Sequence, residues 1–115
     1  MNDMLQDQEF APERLLAEAS ARAGGLADFG TGDFREALRV LAAALRDEAR
    51  LSVQGQALLR EKLLGQLVNR LVIEEHCKRH PEILEQVIDD PLVIVGLPRT
   101  GTTLLQRTLA VDPQF

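Results

Sequence analysis

Gly96 and Gly101 enclose Leu97, Pro98, Arg99 and Thr100, and Thr102 and Thr103 follow at once. Turn N–H groups, threonine hydroxyls and one guanidinium make a donor set suited to an oxyanion. A glycine at each end lets the chain turn sharply and lets a ligand approach without a Cβ in the way. Pro98 stiffens the turn by fixing its own φ. Arg99 supplies the fixed positive charge, and its planar fork can grip two oxygens at once. Against the nucleotide-triphosphatase pattern G-x-x-x-x-G-K-[ST], "GLPRTGTT" matches both glycines and the final Thr103 but has Thr102 in the lysine position. Without that lysine a triphosphate loses the charge that reaches its β- and γ-phosphates. The spacing therefore points to an anion with fewer phosphates along that axis. The dinucleotide fingerprint G-x-G-x-x-G fits less well, because the loop holds only Gly96 and Gly101.

A second cluster, "HCKRH", sets His76 and His80 at i, i+4 beside Glu75 and Cys77, a spacing compatible with a zinc pair. A structural zinc site takes three or four ligands, and no matching partner spacing occurs elsewhere in the chain. No metal is expected. Two histidines at a helix C-terminus are explained by the helix dipole and solvent, and Cys77 reads as an inert, partly buried thiol.

The elements that must position the loop can be read from periodicity. "LVIVG" is a short β-branched run with apolar residues on both faces, the pattern of a strand buried on each side in a parallel sheet. Gly101 or Thr102 then opens a helix carrying Leu104, Leu105, Thr108 and Leu109, which "VDPQF" ends. Upstream the pattern is helical. Pro12 suits a first helical turn, and Leu15, Leu16, Ala19 and Ala23 share a side before Gly24-Gly25 stops the helix. Asp33 caps a helix over about 33–50 with Phe34, Leu38, Leu41 and Leu45 at helical spacing. Ser52 caps a longer one over about 53–79, whose apolar face runs through Ala57, Leu64, Leu67, Val68, Leu71 and Val72, widened by Leu59, Leu63 and Ile73. Gly55 and Gly65 are small interruptions at which another backbone could approach. His80-Pro81 ends this helix, "PEILEQVI" offers one or two further turns, and Asp89-Asp90-Pro91 marks a turn before the strand. The chain as given is thus expected to be mostly α-helical with a single strand: a helical region over 1–90, then strand, phosphate-binding loop and helix over 91–115.

Composition narrows the partners. The net charge is −5; residues 1–90 hold 11 basic against 17 acidic side chains, and residues 91–115 carry +1, from Arg99 and Arg107 against Asp112. An acidic surface repels nucleic acid and anionic lipid, and four Phe with no Trp or Tyr provide no stacking platforms for single strands. Any anion must be captured locally. A lone cysteine fits a reducing compartment, and the start has no basic segment leading into an apolar run. The expectation is a cytoplasmic protein with no nucleic-acid partner and no membrane span.

The stretch "GLPRTGTTLLQRTLAVDPQF" resembles the 5′-phosphosulfate-binding loop of sulfotransferases that use 3′-phosphoadenosine 5′-phosphosulfate (PAPS), in particular a broad bacterial family whose loop reads proline, arginine, serine or threonine, glycine, threonine, threonine. "LLAEASARAGG", "LLGQLVNRL" and "HPEI" are also similar to the amino-terminal region of that family. The resemblance implies an α/β parent fold of the P-loop type, with PAPS as co-substrate and no metal. It implies that Pro98, Arg99, Thr100, Gly101, Thr102 and Thr103 bind the cofactor. Arg99 would neutralise charge on the bridging oxygen as the sulfuryl group leaves for a hydroxyl or amine acceptor. The family's catalytic base and 3′-phosphate residues are expected after the loop helix, beyond Phe115. The sequence therefore reads as an amino-terminal fragment, inactive alone, with the acceptor and the oligomeric state left open. The alternatives are a divergent P-loop nucleotide-binding or kinase-like protein, and a helical module that docks a partner through the apolar face of residues 57–73.

Overall fold

The computed structural model describes residues 9–113. Contacts divide the chain into two units, Met1–Glu85 and Gln86–Phe115. In the first, α1 (Pro12–Arg22), α2 (Phe34–Asp47) and α3 (Val53–Arg79) are followed by one 3-10 turn, Pro81–Ile83. The second contains α4 (Thr102–Leu109). Among the described residues, no helix is long and apolar enough to cross a membrane.

Each helix of the first unit starts and stops where its end groups find partners. Pro12 occupies the first turn of α1, where a missing N–H costs nothing. At its other end Gly24, at φ 70°, turns the chain left-handed, so that Gly25 N–H reaches Ser20 O at 2.8 Å and Gly24 N–H reaches Ala21 O at 3.2 Å. These two bonds are the Schellman pair that satisfies the last carbonyls. The Asp33 carboxylate accepts from Phe34 N–H at the head of α2, and the Ser52 hydroxyl accepts from Gly55 N–H at the head of α3. His80 closes α3.

The core gathers Leu15 and Ala19 of α1, Leu38 and Ala42 of α2, and Leu63, Leu64, Leu67 and Leu71 of α3, with Phe10 and Phe29 filling in from outside the helices. Leu15, Leu64 and Leu71 are fully buried, each contributing about 1.5–3 kcal/mol relative to exposure. α1 packs chiefly along α3 and more lightly on α2. A charged clamp reinforces the first contact: Arg22 bridges Glu18 and Glu61 at 2.7 Å each, and Arg60 pairs with Glu18. The Arg60 hydrogen bond, followed by that from Arg22, holds the Glu18 carboxyl below its ordinary range. The turn between α1 and α2 is fastened by Arg70, which donates to Phe29 O at 2.6 Å and Thr31 O at 3.1 Å and lies 4.4 Å from the Phe34 ring centre.

Three expectations are corrected here. Ala57, Val72 and Ile73, placed on the buried face of α3, are exposed. At 3.6 residues per turn, Val72 and Ile73 stand about 100° and 200° around the helix from the fully buried Leu71 and so turn off its face. Ala57 lies ahead of Leu63, the first buried residue of α3. Gly65 faces open space, and Gly55 sits against the cap hydroxyl of Ser52 rather than against another element. The third correction concerns the strand: no residue among the described ones is in a β-strand, and the run 91–97 has no regular structure. A strand exists through its ladder, in which every N–H and C=O pairs with a neighbouring chain, and residues 92–96 have no such neighbour among the described residues. Nor is the run buried on two faces, since Val93 is 72% and Val95 88% exposed.

Candidate functional site

The loop lies wholly in the second unit. Pro98 and Arg99 form a turn, Thr100 and Gly101 bend, and Thr102 begins α4. Gly101 is the N-cap, at φ 90° and ψ 11°, and no side chain caps this helix. The first N–H groups of an α-helix have no intrahelical partner. Those of Thr102, Thr103 and Leu104 therefore lead toward the loop, together with the positive end of the helix dipole.

The backbone signs sharpen this. Arg99 has φ 65° and Gly101 φ 90°, whereas Thr100 is not in the positive-φ region and Thr102 is helical. Four successive residues thus alternate in the sign of φ, positive at Arg99 and Gly101 and negative at Thr100 and Thr102. Alternation of this kind turns consecutive N–H groups toward one side and forms the concave nest that holds anions in phosphate-binding loops. Gly101 takes its left-handed conformation without strain, and a Cβ there would meet no atom within 4 Å. Arg99 adopts a conformation uncommon for a residue with a side chain.

Side chains refine the picture. The Thr100 hydroxyl donates to Leu97 O at 2.7 Å, closing the turn across Pro98 and Arg99. A Cβ on Gly96 would lie 2.8 Å from Thr102 Cγ2 and 2.9 Å from Thr100 Oγ1, closer than packed atoms allow, so a side chain at 96 would have to displace these threonine side chains. Arg99 is exposed, and among the described residues no carboxylate is in ion-pair contact with it. An open groove of about 420 Å³ runs beside the loop, lined by Leu92, Val93, Ile94, Thr102, Thr103 and Gln106.

Of the six loop residues singled out from sequence, Thr102 and Thr103 line this groove, whereas Pro98, Arg99, Thr100 and Gly101 form the turn that leads into it. Gln106 was not anticipated. It stands one helical turn from Thr102 and Thr103, so the i, i+3 spacing was the signal that could have found it. In the first unit, the His76 and His80 rings stack at 6.2 Å and His80 Nδ1 lies 3.1 Å from Glu82 Oε1. Among the described residues no group of three or more His, Cys, Asp or Glu side chains is arranged to hold a metal ion.

No curated protein and no solved structure matches the chain. The segment that carries the loop does match a known family: residues 91–115 fit the model of the sulfotransferase family.

Proposed function

We propose that residues 91–115 are the opening segment of a sulfotransferase domain and that Pro98, Arg99, Thr100, Gly101, Thr102 and Thr103 cradle the 5′-phosphate of PAPS. The single observation that carries this reading is the alternating backbone of residues 99–102, set at the head of an uncapped helix inside the segment that fits the family. A nest supplies donors to a compact anion without a lysine, which agrees with Thr102 in the lysine position of the triphosphatase pattern. The space over Gly101 lets phosphate oxygens reach the backbone.

The reaction is sulfuryl transfer. A bond forms from an acceptor hydroxyl or amine to sulfur, the bond from sulfur to the phosphate bridging oxygen breaks, and 3′-phosphoadenosine 5′-phosphate leaves. Arg99 neutralises the charge that grows on the bridging oxygen, the place where a fixed donor lowers the barrier most. The base that takes the acceptor proton and the contacts to the 3′-phosphate lie outside these residues. We place them in elements that cover the aliphatic side chains Val93, Val95, Leu97 and Leu104, all widely exposed in the second unit.

Titration of 3′-phosphoadenosine 5′-phosphate into the protein, followed by amide chemical shifts, tests the proposal. Saturable shifts confined to residues 96–104 and lost in Arg99→Ala are expected. Equal or larger shifts with ATP and magnesium would move the assignment to a nucleotide-binding P-loop protein.

A second reading is favoured by a separate feature. Two grooves of about 280 and 240 Å³ between α2 and α3 share Leu41, Leu63 and Gln66, an apolar trough along the first unit. A trough of this kind suits a helical interaction module. A stable complex formed by the first unit, with no response of the loop to nucleotide, would favour it.

A further inference from the structure

We propose that Thr100 is a positioning residue of the loop, whose hydroxyl holds the turn in anion-binding form instead of donating to the anion. This rests on the assignment of the loop to a 5′-phosphate. A threonine hydroxyl has one proton to give, and here it goes to Leu97 O at 2.7 Å. What remains on Thr100 Oγ1 is lone pairs, which attract no phosphate oxygen. Its contribution to the ligand is therefore made through the backbone.

The hydrogen bond spans the residues that most need holding. Between Leu97 and Thr100 lie Pro98, whose φ is fixed by its ring, and Arg99, at φ 65° in a region that residues with a Cβ avoid. Fastening the carbonyl before this pair to the side chain after it restrains Arg99 in the left-handed conformation. That conformation is one of the alternating steps of the nest. Gly96 belongs to the same device, because a Cβ there would come within 2.9 Å of the Thr100 hydroxyl oxygen and push it off Leu97 O. The two loop glycines thus serve different ends: Gly96 makes room for the fastening hydroxyl, and Gly101 takes up the turn itself.

Two variants of the full chain separate this role from direct ligation. Thr100→Val keeps the shape and removes the hydroxyl, while Thr100→Ser keeps the hydroxyl. In ligand-free protein, a left-handed residue gives a strong nuclear Overhauser effect between its own amide proton and Hα. That signal is expected for Arg99 in the wild type and in Thr100→Ser and absent in Thr100→Val. Affinity for 3′-phosphoadenosine 5′-phosphate is expected to fall about three- to tenfold in Thr100→Val, the range of one net hydrogen bond, and to stay near wild type in Thr100→Ser. A left-handed Arg99 that persists in Thr100→Val overturns the proposal, as does its absence from the wild type. If the wild type fails to bind the nucleotide, the 5′-phosphate assignment fails, while the ligand-free comparison still decides what Thr100 does.

Discussion

Leu64 and Val95 are both aliphatic, and one is fully buried while the other is 88% exposed. The difference follows the two units. In the first, α1, α2 and α3 meet around ten buried apolar residues. In the second, no described residue is buried, although Val93, Val95, Leu97, Leu104 and Leu105 are as apolar as anything in the core. A helix completes its own hydrogen bonds and needs a neighbour only for its apolar stripe, so three consecutive helices can satisfy one another. A strand needs neighbours for its backbone as well as for both faces. The second unit therefore exposes its glycine-bounded loop together with the aliphatic side chains that flank it.

The largest test of this contrast is cavity creation. Leu64→Ala is expected to destabilise the protein by about 2–5 kcal/mol, the usual cost of truncating a fully buried leucine, read as a lower urea midpoint. Val95→Ala is expected to change stability by less than about 0.5 kcal/mol, as for other exposed positions. A comparable loss in both would erase the contrast and show that 91–97 is packed. A smaller effect is expected at Arg70, whose guanidinium serves two carbonyls of the α1–α2 turn and the face of Phe34. Arg70→Leu should cost about 1–3 kcal/mol, because those carbonyls lose a charged donor. The loop resonances 96–104 should not shift.

What could be read from the amino-acid order divides along the same line. Pro12, Asp33, Ser52, Gly24 and His80-Pro81 act on backbone groups within a few residues, and the helix ends they predict agree closely with those observed. Phe10 and Phe29 were missed as core residues. They lie outside the periodic stretches, and only the approach of three helices creates the space they fill. "LVIVG" has strand composition, but a ladder is made by partners distant in sequence, so composition could not supply it. In the loop, the need for glycine at 101 was legible. The left-handed Arg99 and the bond from Thr100 to Leu97 O were not, because they depend on the path the turn takes.

Acid should also discriminate between the units. The carboxyls held below their ordinary range by arginine or lysine partners, Glu18, Asp28, Glu36, Asp47 and Glu61, all lie in the first unit. A carboxyl depressed on folding contributes stability that is fully present above its unfolded value and fades as pH falls through the folded one. For Glu18 the decline begins below about 4.5. Urea midpoints measured from pH 7 down to pH 3 should fall, and Glu18→Gln should start lower at pH 7 and fall less steeply. An unchanged slope would show that the clamp of Arg22 and Arg60 adds nothing to the contact between α1 and α3.

The smallest effect on the fold is expected at Gly101. A Cβ there meets nothing within 4 Å, so any cost of Gly101→Ala comes from φ 90° alone. For a residue with a Cβ the left-handed region costs about 1–2 kcal/mol, and the second unit can relieve it by letting the turn rearrange without disturbing the helical core. The urea midpoint should therefore remain at the wild-type value while the amide shifts of Arg99 to Thr103 move. Asparagine tolerates left-handed φ better than alanine, so Gly101→Asn should perturb the loop less, and nucleotide affinity should rank glycine, then asparagine, then alanine. Equal losses for alanine and asparagine would point to the space over Gly101, rather than its backbone angle, as what the phosphate requires. A drop in the urea midpoint would instead mean that the loop and the helical core unfold as one body.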